Sequence, residues 1–265
     1  MAEEIIGKTI KHSIRNKVAW VTLNRPEIHN AFNETMIGEL LELYQALGKM
    51  PEVRVVVITG AGKSFCAGAD LNWMGGVIKY SYEQNLNESL QLAELFYTMY
   101  SLPKPTIAMV NGAAIGGGAG MVAVNDFVIA SDQAKFSFSE VKLGLVPACI
   151  SPYVIRRVGE NRSRELFLSG ERMDAQKAFQ FGFVNQVVAA DQLEAAVNRL
   201  IEQLLSSGPN ALAICKDLLE KVPQMSLEAA KKYTAEAIAA LRVSDEGQEG
   251  MKAFFEKRKP RWVKR

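Results

Sequence analysis

The chain has 265 residues, 48% of them hydrophobic and 23% charged, with a formal net charge of +2. That composition supports a sizeable core, and a balance so close to neutral makes nucleic acid a poor partner. Three scattered cysteines, Cys66, Cys149 and Cys215, with no CxxC pair, argue against a disulfide framework and a thiolate zinc site.

The opening MAEEIIGKTIKHSI has no apolar leader run. No stretch of about 18 apolar residues follows anywhere, so no membrane span is expected. A cytoplasmic protein is the simplest expectation. Residues 8–23 read as two β-runs, KTIKHSI and VAWVTLN, parted by Arg15, Asn16 and Lys17. Polar turn residues between β-branched runs predict a hairpin. Pro26 ends it. Residues 33–50 space Met36, Ile37, Leu40, Leu41, Tyr44 and Leu47 as a helix does, with Asn33 as its N-cap. Residues 53–59, VRVVVIT, form a short apolar run of the kind buried on both faces of a sheet. A helix is predicted over 85–100, strands over 106–110, 127–130 and 135–138, and a short helix over 119–124. After Ser151 helices dominate: 162–168, 175–179, 192–205, 210–219, 227–241 and 246–257. One strand-like piece, 183–188, interrupts them. The expected organisation is an α/β core over 1–200 and a helical region over 201–265. Unpartnered apolar helix faces in the latter suggest subunit contact.

Two loops carry the chemistry. Residues 64–71 read Ser-Phe-Cys-Ala-Gly-Ala-Asp-Leu, and residues 112–120 are rich in glycine. Both follow strands. Small residues there let a ligand approach the backbone, and N–H groups at a helix start are unpaired and partly positive. Two such loops face to face would make an oxyanion hole. Each loop alone reads equally as a tight turn. A dinucleotide fingerprint is a weak match, because Glu140 does not end an apolar strand. No GxxxxGK[ST] phosphate loop is present, nor a Ser/His/Asp nucleophile elbow, nor a His-rich metal site. His12 and His29, Cys66 and Cys149, and Asp126 read as structural. Asp70 is placed to cap a following helix.

Five segments in order resemble the enoyl-CoA hydratase/isomerase (crotonase) family. They are LNRP at 23–26 with NAF at 30–32; SFCAGADL at 64–71; Asn111-Gly112 with Gly116-Gly117-Gly118; FSEVKLG at 138–144; and FFEKR at 254–258. The resemblance implies an α/β fold, a spiral of ββα units with a C-terminal helical region. It implies a homotrimer or homohexamer acting on an acyl-CoA thioester, with no cofactor beyond the coenzyme A of the substrate and no metal. The N–H groups of Ala69 and Gly117 match the family's oxyanion hole. Ala67 matches a position near the adenine, and Arg25 and Ile28 match the nucleotide and pantetheine channel. Asp70 and Leu71 close the first loop beside the substrate. Phe254 and Lys257 match tail residues that reach a neighbouring subunit's coenzyme, which gives a use to the seven Lys and Arg between 252 and 265.

Family hydratases usually carry two glutamates. Here Glu140 matches one, and Gly120 stands at the other. Cys149-Ile150-Ser151-Pro152-Tyr153 replaces a usual glycine-rich stretch. These two departures are similar to the bacterial methylglutaconyl-CoA hydratase-like branch. The expected reaction is addition of water to an enoyl-CoA, with Glu140 handling water and proton. The alternatives are Δ3,Δ2-enoyl-CoA isomerisation with Glu140 as sole proton shuttle, and a non-catalytic acyl-CoA-binding protein. An apolar context should raise the Glu140 pKa into a useful range.

Overall fold

In the computed structural model, which describes residues 4–263, the predicted hairpin is present. After β1 (Glu4–Ile6), β2 (Ile10–Arg15) pairs antiparallel with β3 (Val18–Leu23). Asn16 and Lys17 both take positive φ, 52° and 67°, the two-residue turn whose twist suits a hairpin. Helix α1 (Glu34–Lys49) starts where Asn33 accepts the Met36 N–H, as the spacing predicts. Then come β4 (Val55–Gly60), β5 (Ser64–Cys66), α2 (Leu71–Val77), α3 (Tyr82–Tyr100), β6 (Thr106–Val110), β7 (Ala113–Ile115), α4 (Gly117–Ala123), β8 (Phe127–Ser131) and β9 (Lys135–Ser137). The chain continues with α5 (Ser151–Ser169), β10 (Arg172–Asp174), α6 (Ala175–Gln180), β11 (Gln186–Val188), α7 (Leu193–Ser206), α8 (Pro209–Lys221), α9 (Leu227–Val243) and α10 (Asp245–Phe255).

The strands form two sheets. The larger has the order β1-β2-β3-β4-β6-β8-β11, and from β3 onward its neighbours run parallel. Val56, Val57, Ile58, Ala108, Val128 and Ala130 in its middle are buried on either face, which is why these runs are continuously apolar. Met36, Leu40, Tyr44 and Leu47 of α1 belong to the same core. The smaller sheet has the order β10-β9-β7-β5.

The differences from the sequence expectation have local causes. Helix α3 begins at Tyr82 because Ser81 and Gln84 exchange hydrogen bonds as a capping box. The helix expected over 162–168 is the second part of α5, which Gly159 interrupts at φ 79°. The strand expected over 183–188 shrinks to β11. Strands β1, β5, β7 and β10 are not read from the sequence, while α2 is the helix that Asp70 is placed to cap. Each of these strands has three residues, too few for periodicity to register.

The chain divides into two compact units. One runs up to Leu102 and resumes over Thr106–Val197; the other is Pro103–Pro105 with the chain from Asn198 onward. The second unit is helical, and Leu227, Val243, Phe254 and Phe255 in it are exposed. Among the described residues no helix is long and apolar enough to cross a membrane.

Candidate active site

Three adjacent parallel strands deliver the site. Cys66 of β5 pairs with Ala114 of β7, and Ala114 pairs with Phe136 of β9. The chain therefore leaves all three strands at one edge of the small sheet. The loops that start there contain Ala69, Gly117 and Glu140, three, three and four residues beyond that paired row. Loops at the carboxyl ends of parallel strands are where α/β folds place ligands.

The direction of the Ala69 N–H follows from peptide geometry. Phe32 makes an isolated parallel bridge to Ala69: its N–H donates to Gly68 O at 2.9 Å, and its carbonyl accepts from Asp70 N at 2.9 Å. The Gly68–Ala69 peptide is planar and trans, so its N–H points opposite to its carbonyl. With that carbonyl turned to Phe32, the Ala69 N–H points away from Phe32, and it has no partner among the described residues.

Gly117 is the first residue of α4, and no side chain caps this helix start. Its N–H has no partner among the described residues either. The glycines here are required by space. A Cβ on Gly117 would lie 2.6 Å from the Phe32 ring, and Gly116, at φ 53°, would bring one to 3.2 Å from Glu140 Oε1. Phe32 thus touches both loops, and the Glu140 carboxylate lies against the start of α4.

Glu140 opens a single 3₁₀ turn, Glu140–Leu143, directly after buried Phe136 and Phe138. Its Oε2 is buried and has no hydrogen-bond partner among the described residues. Burial pushes its pKa above the ordinary carboxylate value, and its own backbone N–H offsets only part of this. A buried carboxylate without a partner is costly, and such groups cluster at functional sites.

Gly120 lies one turn along α4, its N–H donating to Gly116 O. A Cβ there would meet Ile150 Cγ2 at 2.1 Å and Phe96 Cζ at 3.3 Å. The two departures from the family pattern, Gly120 and the segment around Ile150, are therefore in contact. Ile150 takes the volume that a longer residue at 120 would need.

The remaining candidate residues are distributed as follows. Arg25 is tied down inside the protein: Nη1 donates to Ala31 O and Nη2 to Asp70 Oδ2, both at 2.7 Å. Asp70 is a cap, as its position suggests, accepting the Asn72 N–H at 2.8 Å. Burial raises the Asp70 pKa, but that N–H and Arg25 outweigh it and hold the carboxyl below its usual range. Ala67 is exposed and donates its N–H to His29 O. Ile28 and Leu71 are exposed beside these loops. Phe254 and Lys257 lie at the end of α10 in the second unit, both exposed, and Lys257 makes no ion pair among the described residues. His29, at φ 55°, sits within 3.0 Å of Ser64 Oγ and shapes the turn.

Sequence reasoning missed the residues that hold the loops together. Asn30 is fully buried; it accepts from Arg25 N and donates to Ala61 O and Ser64 O. Trp73 packs edge-on against Phe32 and donates its indole N–H to Glu88. Asn30 and Phe32 belong to a quoted motif, but no spacing rule announces their partners.

Comparison with known proteins agrees with this fold. The family model described as enoyl-CoA hydratase/isomerase matches residues 13–265. The crystal structure of an enoyl-CoA hydratase from Shewanella pealeana superposes with a TM-score of 0.93 at 42% identity, covering 96% of each chain. A crotonyl-CoA hydratase from Syntrophomonas wolfei is 33% identical over 255 residues, 93% of this chain and 95% of that protein. A trans-2-decenoyl-[acyl-carrier-protein] isomerase from Streptococcus mutans is 30% identical over 258 residues, 97% of this chain and 98% of that protein.

Proposed function

The chain belongs to the enoyl-CoA hydratase/isomerase family and has its α/β fold, and from that premise we propose that it adds water to an enoyl-CoA thioester with Glu140 as its one working carboxylate. The observation that carries this reading is the buried Oε2 of Glu140, without a partner among the described residues, beside the uncapped start of α4. The Ala69 and Gly117 N–H groups would hold the thioester oxygen. As negative charge grows on that oxygen, fixed donors stabilise it without reorganising. Glu140 takes a proton from water while the hydroxyl attacks the β-carbon, leaving an enolate. The same carboxyl then returns its proton to the α-carbon, so one water has been added and Glu140 is ionised again. A raised pKa suits a group that must both accept and donate near neutrality.

One observation favours a second reading. Ile150 and Phe96 close the space at Gly120, which leaves Glu140 without a second carboxylate there. Moving a double bond by 1,3-proton transfer needs only one. The branched acyl class suggested by the sequence, 3-methylglutaconyl, rests on the matched pair Gly120 and Ile150 as a reshaped wall.

The test is to mix the protein with crotonyl-CoA, 3-methylglutaconyl-CoA and 3-hexenoyl-CoA and follow the conjugated enoyl absorbance. Loss of absorbance with either of the first two means hydration. A gain with 3-hexenoyl-CoA means isomerisation and overturns the lead reading. Coenzyme-A ester binding with no change in any of them leaves only an acyl-CoA-binding protein. The proposal includes coenzyme A as part of the substrate, no separate cofactor, and a trimer or hexamer in the cytoplasm. Exposed Leu227, Val243, Phe254 and Phe255 in the second unit support the assembly, which light scattering would check.

A further inference from the structure

We propose that Arg25 is a positioning residue for the oxyanion hole, acting on the Ala69 N–H through two hydrogen-bonded peptide groups, and is not a ligand for the coenzyme's phosphates. The inference rests on the reading of Ala69 as an oxyanion donor and adds a residue to that site.

The chain of contacts is continuous. Arg25 Nη1 donates to the carbonyl of Ala31 at 2.7 Å. That carbonyl and the Phe32 N–H are the two ends of one peptide group. The Phe32 N–H donates to Gly68 O at 2.9 Å, and that oxygen shares its peptide group with the Ala69 N–H. Each planar peptide passes direction from its oxygen to its N–H. Hydrogen bonds in such a row also polarise one another. A guanidinium stands at one end, and the Ala69 N–H stands at the other. A positive charge behind the row makes that N–H a stronger donor to a developing oxyanion.

The second arm of Arg25 fixes the other side of Ala69. Nη2 bonds Asp70 Oδ2 at 2.7 Å, Asp70 Oδ1 accepts the Asn72 N–H, and the Asp70 N–H donates to Phe32 O. The peptide groups before and after Ala69 are therefore both anchored. The Arg25 and Asp70 side chains are 18% and 8% exposed, so water screens this pair weakly. Asn30 locks the Arg25 backbone, accepting its N–H at 2.9 Å. With both arms spent on Ala31 and Asp70, the guanidinium has little left for a phosphate. The exposed cation left for that task is Lys257.

The test compares wild type with Arg25→Met and Asp70→Asn on crotonyl-CoA and on crotonyl-pantetheine, which lacks the nucleotide. A positioning role predicts the same fractional fall in kcat/KM for both thioesters, carried mainly by kcat. Its size should stay below the roughly 10²–10³-fold cost of deleting an oxyanion donor outright. Infrared spectra of bound butyryl-CoA should show the thioester carbonyl less red-shifted in Arg25→Met than in wild type. A fall confined to crotonyl-CoA and to its KM overturns the proposal and makes Arg25 a nucleotide ligand. An equal fall with an unmoved carbonyl band overturns it too, since the residue then serves only stability. If Arg25→Met does not fold, Asp70→Asn, which keeps the side-chain shape, decides by the same two readouts. If wild type turns over none of the thioesters, the functional reading fails, and the carbonyl shift still judges the relay.

Discussion

Glu140 and Glu249 both have carboxylate oxygens withdrawn from water, and the two regions treat them in opposite ways. In the second unit Glu249, 7% exposed, is gripped by both Nη atoms of Arg258 and by the Arg261 N–H. Arg258 above all holds its pKa down at about 2. In the first unit Glu140 keeps a buried oxygen with no partner among the described residues, and burial pushes its pKa up. A paired carboxylate fastens the segment that follows α10. An unpaired one costs stability and stays reactive, which is the pattern of a group kept for chemistry. The basic tail shows the same division, since Arg258 and Arg261 are engaged by Glu249 while Lys257 stays in solvent.

The sharpest way to break this contrast is Glu140→Gln. Turnover should fall by about 10²–10⁴-fold, the usual range for a general acid–base group, while acyl-CoA affinity measured by calorimetry stays within a few-fold. Retained turnover would put the chemistry elsewhere. Next in size, the acid limb of kcat/KM against pH should report a pKa above the ordinary glutamate value of 4.5, because activity as a base grows only as Glu140 ionises. A limb at or below that value would contradict burial as the controlling influence.

A smaller effect tests the contact between Gly120 and Ile150. Gly120→Ala should cost about 1–3 kcal/mol in urea unfolding, since its methyl group overlaps Ile150. Ile150→Ala in the same chain should recover part of that loss. Additive losses would mean that the two residues do not share the space.

The smallest effects have opposite signs for the two glutamates. The folded-state pKa of Glu140 is raised, so its ionised form opposes folding above the ordinary carboxylate range. Glu140→Gln should therefore raise the melting temperature at neutral pH, and the gain should vanish as pH falls below that range. The folded-state pKa of Glu249 is depressed, so it stabilises above its ordinary value and loses that contribution as pH falls towards about 2. Glu249→Gln should lower the melting temperature at neutral pH, with the difference from wild type closing in acid. Two melting series against pH check both signs.

Much was legible before any coordinates. The β2–β3 hairpin follows from a polar turn between β-branched runs, and α1 from its spacing and its Asn33 cap, because these rest on neighbours in sequence. The ordered motifs pointed to the family, and Gly120 showed that one of two expected glutamates is missing. Strands β5 and β7 could not be read. A three-residue run makes a strand only when a parallel neighbour supplies the hydrogen bonds.

The sequence by itself thus determined the chemistry on offer: two loops of small residues, a single matching glutamate and a glycine where another would stand. Tertiary structure decided how those parts are used. Ile150 fills the space at Gly120 from 30 residues away, and Arg25 reaches Asp70 across 45. Backbone direction at Ala69 depends on a bridge to Phe32. These are contacts between segments distant in the chain, and no local propensity or period encodes them, because only packing brings the partners within reach of each other.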